Sequence, residues 1–287
     1  MEPGDVQTIG VVGCGLMGSG IVEIAARVGI DVTFVEPTHD LVTAGRARIE
    51  GSTAKAVERD KLTSDDRDAL LARVRGVTDL VAFADADVDL VIEAATEDPS
   101  IKLDTFRTLD ATVRPEVVLG SNTSSIPIAT LGAATARPDR VIGIHFFNPP
   151  PVMKLVELTP SLSTSPETVA FARGLGERLG KTVVVAKDHA GFIVNRLVIP
   201  YVCAAIRLYD EGFATREDID VSMTLGMNHP MGPLTLADFI GLDTVLQIAE
   251  VLHAEFREPM YAPPPRLRRM VDAGHLGRKS GRGFYEY

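Results

Sequence analysis

The chain has 287 residues, 45% of them hydrophobic and 24% charged, the composition of a soluble globular protein that can bury one or two cores. Its formal net charge of −10 argues against nucleic acid as a partner, and it means that an anionic ligand would need a local basic patch. Two cysteines, Cys14 and Cys203, make neither a disulfide framework nor a metal site, and the six histidines lack zinc spacing, so no metal and a reducing, cytoplasmic setting are expected. No apolar stretch is long enough to span a bilayer and MEPGDVQT lacks the features of a signal peptide, so no membrane partner is expected.

Thr8 to Val12 reads as an apolar strand. Gly13, Gly15 and Gly18 follow with G-x-G-x-x-G spacing, and Leu16 to Val28 has helical periodicity. A second strand, Val32 to Val35, ends at Glu36. Strand, glycines, helix, strand and acid in this order form the Rossmann dinucleotide fingerprint. Gly13 allows the tight turn, Gly15 lets a pyrophosphate approach the helix N-terminus, and Gly18 lets the helix pack on the strand. Glu36 can accept from a ribose 2′-hydroxyl and would repel a 2′-phosphate, so NAD is expected rather than NADP.

Residues 40 to 75 read as a long helical stretch carrying Arg46, Arg48, Lys55, Arg59 and Lys61. The cluster fits a solvated charged face, and it also fits the basic patch that a phosphorylated ligand would need in this acidic chain. Alternation then resumes, with a strand from Leu90 to Ala95, a helix from Ser100 to Val113 and a strand from Val117 to Gly120 that ends in SNTSSIP. Val141 to Phe147 is a further strand, and Lys181 to Ala186 is the last. Alternating strands and helices imply a mainly parallel sheet whose ligands bind beyond the C-terminal strand ends. Glu97, Asn122, Ser124, His145 and Asn148 all follow or close such ends.

The stretch GIHFFNPPPVMKLVEL places His145 near a strand end, because Pro149, Pro150 and Pro151 stop the ladder. Glu157 lies in the next apolar run, where an ionised carboxylate needs a partner. These residues alone fit a core histidine satisfied by a neighbour, and they fit a base held by a carboxylate.

After Lys187 the pattern becomes helical. Phe192 to Gly212 reads as one helix with Asn195 near its start and Pro200 as a kink; TREDIDVSMTLG is a helix with a capping-box-like Thr215 and Asp218. HPMGPLTLADFIGLDTVLQIAEVL holds another helix and PPPRLRRMVDAG the last. The expected architecture is α/β: a Rossmann-type, mainly parallel sheet domain over 1–187, then an all-helical C-terminal domain over 188–287. Apolar residues such as Leu197, Ile199, Val202, Ile206 and Leu225 exceed what a small helical layer would bury alone, so a homodimer is expected.

In order, SNTSSIP, HFFNPPPVMKLVEL, GFIVNR, EDID, HPMGP, FIGLDT and LGRKSGRGFYEY resemble the L-3-hydroxyacyl-CoA dehydrogenases over nearly the whole chain, and most of all the bacterial 3-hydroxybutyryl-CoA dehydrogenases. The resemblance implies interconversion of a 3-hydroxyacyl-CoA and its 3-keto form with NAD. It makes His145 the base, Glu157 its partner, and Ser124 and Asn195 active-site groups. Gly13, Gly15, Leu16, Met17, Gly18, Glu36, Glu97, Lys102, Ser124, Asn148 and Lys279 fall at cofactor positions, and Ser52 and Lys55 in the coenzyme A region, with Ser124 and Asn195 also facing substrate. The chain departs from the family at Glu36, often aspartate, at Cys203-Ala204-Ala205, and at Ala190, usually proline. Two relatives of this chemistry stay open: an acyl group on an acyl carrier protein, and a free sugar acid such as gulonate.

Overall fold

A computed structural model describes residues 3–287. The chain divides between His189 and Ala190 into two compact units, just past the expected end at Lys187. In the first unit β1 (Thr8–Val12) leads through α1 (Leu16–Arg27) to β2 (Asp31–Val35), followed by α2 (His39–Glu58), α3 (Ser64–Ala72) and β3 (Val74–Val77). Short α4 (Ala82–Asp85), β4 (Leu90–Glu93), α5 (Pro99–Thr112), β5 (Val118–Ser121) and short α6 (Ile128–Gly132) come next. The unit ends with β6 (Val141–Phe146), β7 (Leu155–Pro160), α7 (Pro166–Arg178) and β8 (Thr182–Val185).

These strands form one eight-stranded sheet in the order β3-β2-β1-β4-β5-β6-β7-β8. Strands β1 to β6 run parallel, β7 runs antiparallel to β6, and β8 runs parallel to β7. The first six strands carry the dinucleotide-binding order, and the crevice expected for ligands lies beyond their C-terminal ends. Side chains alternate between two cores. Leu90 and Ile92 of β4 join Ile21, Val22 and Ile24 of α1 on one face, while Val91 joins Phe106 and Leu109 of α5 on the other.

Two expectations need correction here. The stretch 40–75 is two helices and the start of a strand, rather than helix throughout. Strand β3 hides in the sequence because it reads VRGV, with a charge and a glycine in four residues. That glycine is forced: a Cβ on Gly76 would lie 2.5 Å from Phe34 Cζ and 2.6 Å from Val42 Cγ1. The apolar run containing Glu157 is itself a strand, β7, which reverses direction against β6.

The second unit holds α8 (Val194–Asp210), α9 (Arg216–Gly226), α10 (Pro233–Ile240), α11 (Leu242–Phe256) and α12 (Pro265–Asp272). Helix α8 continues through Pro200. Thr215 caps α9 by accepting from the Asp218 N–H at 3.1 Å, and its hydroxyl donates to the Asp218 carboxylate at 2.7 Å. The single helix expected after HPMGP is two, because Gly241 takes φ +99° between α10 and α11. Of the residues expected to await a partner, Ile199, Val202 and Ile206 are fully buried in the unit's own core, whereas Leu197 and Leu225 are exposed. Two buried aspartates tie the helices together. Asp220 accepts from the Leu234 and Thr235 N–H groups at the start of α10 and from the Tyr285 hydroxyl; Asp238 accepts from the Phe284 and Tyr285 N–H groups. Burial raises the Asp238 pKa above the ordinary carboxylate value. Among the described residues, no helix is long and apolar enough to cross a membrane.

Candidate active site

The loop between β1 and α1 has the shape its glycines call for. Gly13 sits at φ +86°, its N–H donates to the Val35 carbonyl at 2.9 Å, and an added Cβ would lie 2.9 Å from the Ala94 oxygen. A Cβ on Gly18 would lie 1.9 Å from the Gly13 carbonyl oxygen, so only glycine lets α1 approach the strand. At Gly15 an added Cβ would meet nothing within 4 Å, and no side chain caps α1 there. The backbone N–H groups of its first turn, with Leu16 exposed beside them, thus face open space suited to a pyrophosphate. Met17 is half-buried on the same turn. Glu36 accepts from the Cys14 N–H at 2.5 Å through Oε1, which fixes the carboxylate at the rim of the loop and leaves Oε2 for a ribose hydroxyl. Burial first, and the Glu36 charge second, push the Cys14 thiol up to about 12, so it stays protonated and unreactive. These features fit NAD.

His145 and Glu157 are cross-strand partners. The antiparallel register of β6 and β7 sets them directly opposite each other, and His145 Nδ1 lies 2.9 Å from Glu157 Oε2. His145 is 7% exposed and Glu157 is fully buried. With Nδ1 facing a carboxylate oxygen, the geometry suits the tautomer that carries its hydrogen on Nδ1. The Phe147 ring packs edge-on against the imidazole, 4.7 Å between centroids. Asn122, past the end of β5, holds this strand end by accepting from the Phe146 N–H at 2.9 Å. Asn148 follows, exposed, before a cis peptide bond to Pro149.

A buried polar network lies at the ends of β4 and β5. Lys102, 1% exposed, contacts both oxygens of fully buried Glu93 at 2.6 and 2.7 Å and lies 3.5 Å from Glu97. Glu93 also accepts from the Ser121 hydroxyl and the Ala95 N–H. Glu97 in turn accepts from the Ser124 N–H at 2.7 Å, the Ser124 hydroxyl at 3.3 Å and the Thr123 hydroxyl at 2.9 Å. Glu97 therefore orients Ser124, and Lys102 balances two carboxylates from below. Glu93 was missed in the sequence because it reads as an interior residue of an apolar strand from Leu90 to Ala95, whereas the strand ends on it.

The basic stretch of α2 is sorted by helical phase. Arg46 turns away, donating to Val74 O at 2.9 Å and pairing with Glu50. Arg48, Ser52, Lys55 and Arg59 share the opposite face and, with Lys61, line a cavity of about 650 Å³. Its other walls are Leu16, Ser19, Gly20, Glu23 and Arg27 of α1 and the segment Pro149–Val152 just beyond His145. Lys181, also missed in the sequence, clamps that segment: its Nζ donates to the carbonyls of Pro150 at 2.6 Å and Met153 at 2.8 Å. Burial, with the Arg27 charge adding to it, lowers the Lys181 pKa.

The remaining expected residues belong to the second unit. Asn195 is half-buried in the first turn of α8, and Lys279 is exposed, its Nζ 2.6 Å from Asp243.

Strand order, glycine loop and a buried histidine–carboxylate pair at a strand end together define a dinucleotide-binding α/β enzyme. The chain belongs to the 3-hydroxyacyl-CoA dehydrogenase family: the family's NAD binding domain matches residues 8–189 and its C-terminal domain residues 191–287. A 3-hydroxybutyryl-CoA dehydrogenase of Mycobacterium tuberculosis is 51% identical over 284 residues, covering 98% of this chain and 99% of its own. The solved structure of M. tuberculosis FadB2 matches with a TM-score of 0.96 at 51% identity, over 98% of this chain and 99% of that one. The (S)-3-hydroxybutyryl-CoA dehydrogenase of Ralstonia eutropha matches with a TM-score of 0.93 at 46% identity, over 99% of both chains. The cofactor is NAD.

The Glu93–Lys102 pair gives a test of the network. Breaking a buried ion pair from one side costs about 3–5 kcal/mol, so Lys102→Met should lower stability in urea unfolding by that order. Adding Glu93→Gln should restore part of the loss, because a neutral amide can accept from the Ala95 N–H through its oxygen and donate to the Ser121 hydroxyl oxygen through its NH2 without needing a cation. A Lys102→Met protein as stable as the parent would contradict the network.

Proposed function

We propose that the chain is an NAD-dependent dehydrogenase that interconverts a short-chain 3-hydroxyacyl-CoA, such as 3-hydroxybutyryl-CoA, and the corresponding 3-ketoacyl-CoA. The observation that carries the reading is the buried His145–Glu157 pair at 2.9 Å, with His145 near the C-terminal end of β6, the end of a strand where a dinucleotide fold binds its ligands. In the oxidative direction the 3-hydroxyl gives its proton to His145 Nε2 as the carbinol carbon loses hydride. Glu157 holds the Nδ1–H tautomer and stabilises the imidazolium that forms. In the reductive direction His145 returns the proton to the new alkoxide. Ser124, oriented by Glu97, offers a polar group to the substrate's oxygens; the family resemblance gives Asn195, in the first turn of α8, an active-site role as well. The glycine loop and Glu36 would hold NAD, which when bound would supply the hydride acceptor.

The basic cavity favours a coenzyme A thioester over the other acyl carriers. Five cations around about 650 Å³ in a chain of net charge −10 suit the several phosphates of a coenzyme A nucleotide, whereas a carrier-protein arm carries a single phosphodiester and a free sugar acid none. Ser52 and Lys55 lie on its α2 wall, and so does Arg59. Both cysteines are buried, unpaired thiols, in keeping with a cytoplasmic enzyme. In the helical unit Leu197 is 68%, Phe213 78% and Leu225 82% exposed; a second copy of the chain would cover such a surface.

NADH oxidation should be efficient with acetoacetyl-CoA and weak with the same acyl group on acyl carrier protein or on pantetheine, and NAD reduction by gulonate should be negligible. Equal efficiency with the CoA and carrier-protein thioesters would overturn the substrate assignment. His145→Gln should cut kcat at least ~10²-fold with NADH affinity and melting temperature nearly unchanged; a folded variant with near-normal kcat would remove His145 as the base. Sedimentation at micromolar concentration should show a dimer that Leu225→Glu dissociates, and a monomeric parent would refute the interface.

A further inference from the structure

We propose that Glu23 is a specificity residue that reads the adenine amino group of the substrate's nucleotide. The proposal rests on the assignment of the basic cavity to the coenzyme A end of the substrate. Its starting point is an imbalance in the cavity wall. Glu23 is fully buried on α1, and its Oε1 accepts from Arg27 Nη2 at 2.8 Å. Its Oε2 is buried with no hydrogen-bond partner. A buried carboxylate oxygen without a donor is costly, and such an atom in a cavity wall points to a donor supplied by a ligand.

The shape of the cavity says which part of a ligand that would be. Arg48, Ser52, Lys55 and Arg59 recur every three or four residues, so the α2 wall presents cations and a hydroxyl along one helical face. Leu16, Gly20, Glu23 and Arg27 recur in the same way on α1, and Pro149–Val152 closes the third side. Phosphates are acceptors only. They suit the α2 wall and would be repelled by Glu23. The α1 and proline walls are mostly apolar or backbone, which suits the flat face of a base. The ligand must therefore carry anionic groups at one end and an N–H donor on a flat group at the other. Adenine bearing ribose phosphates meets both demands, because its exocyclic amine donates two hydrogens. Hypoxanthine has a carbonyl oxygen in that position and would set acceptor against acceptor. The terminal torsion of a glutamate is soft, so Oε2 can turn toward a donor held in the cavity that Glu23 lines.

The test compares acetoacetyl-CoA with its deamino analogue, in which hypoxanthine replaces adenine, in the parent and in Glu23→Gln. A hydrogen bond to a charged group predicts a KM for the deamino substrate about 10-fold or more higher in the parent, with kcat little changed. Glu23→Gln should narrow that ratio several-fold, because an amide can turn to accept from the amine or donate to the carbonyl. Calorimetric binding of adenosine 3′,5′-bisphosphate against inosine 3′,5′-bisphosphate to the parent protein repeats the comparison without turnover and without a variant. Tighter binding of the adenine compound supports the proposal. Equal KM values or equal affinities in the parent, or an undiminished ratio in Glu23→Gln, would overturn it. The two readings fail separately: no turnover of any CoA thioester refutes the proposed function, whereas turnover without discrimination refutes only the role of Glu23.

Discussion

The site depends on the pairing register of two antiparallel strands. Side chains alternate across a sheet, so the alignment that sets His145 opposite Glu157 puts both groups on one face, within hydrogen-bond distance. A slip of one residue would turn Glu157 to the other face and leave a carboxylate buried without its imidazole. The reversal that makes this pairing possible occurs once in the sheet, after the proline segment that ends β6. The first six strands bring a dinucleotide to the strand ends, and the seventh returns to supply the carboxylate.

Around that pair the chain separates its charges by depth. The deepest layer is the Glu93–Lys102 pair, where one ammonium satisfies a fully buried carboxylate. Glu97 stands above it, partly exposed, and passes the order of the layer below on to Ser124. Arg48, Lys55, Arg59 and Lys61 line one cavity, beside the segment that Lys181 holds by its carbonyls. Such a local gathering of cations is what an acidic chain needs if an anionic ligand is to bind it.

Much of this was legible in the sequence, for local reasons. The glycine loop depends on residues within one turn of each other: Gly13 and Gly18 meet the steric demand that their spacing implies, and Gly15 stands at open space. His145 and Glu157 were legible as candidates because two polar residues stood in apolar runs, and the family resemblance paired them; the strand reversal at β7 that makes the contact was not legible. Strand β3 was hidden by Arg75 and by Gly76, a residue chosen by the packing of Phe34 and Val42. Helices α10 and α11 looked continuous because apolar spacing runs through Gly241, whose positive φ breaks them. The division of labour between Arg46 and the other cations follows from helical phase. The burial of Lys102 does not, since only the tertiary fold brings Glu93 and Glu97 together around it.

The protonation of the His145 ring tests the central claim most directly. Nitrogen-15 NMR of histidine-labelled protein, with His145→Gln used to assign the signal, reports which ring nitrogen carries hydrogen at neutral pH. The account predicts a protonated Nδ1 and a bare Nε2 in the parent, with Glu157→Gln shifting the ring toward a mixture of tautomers because an amide can also donate to Nδ1. A parent enzyme with hydrogen on Nε2 and a bare Nδ1 would contradict it, since Glu157 would then hold no proton donor and His145 would have no lone pair to offer the substrate.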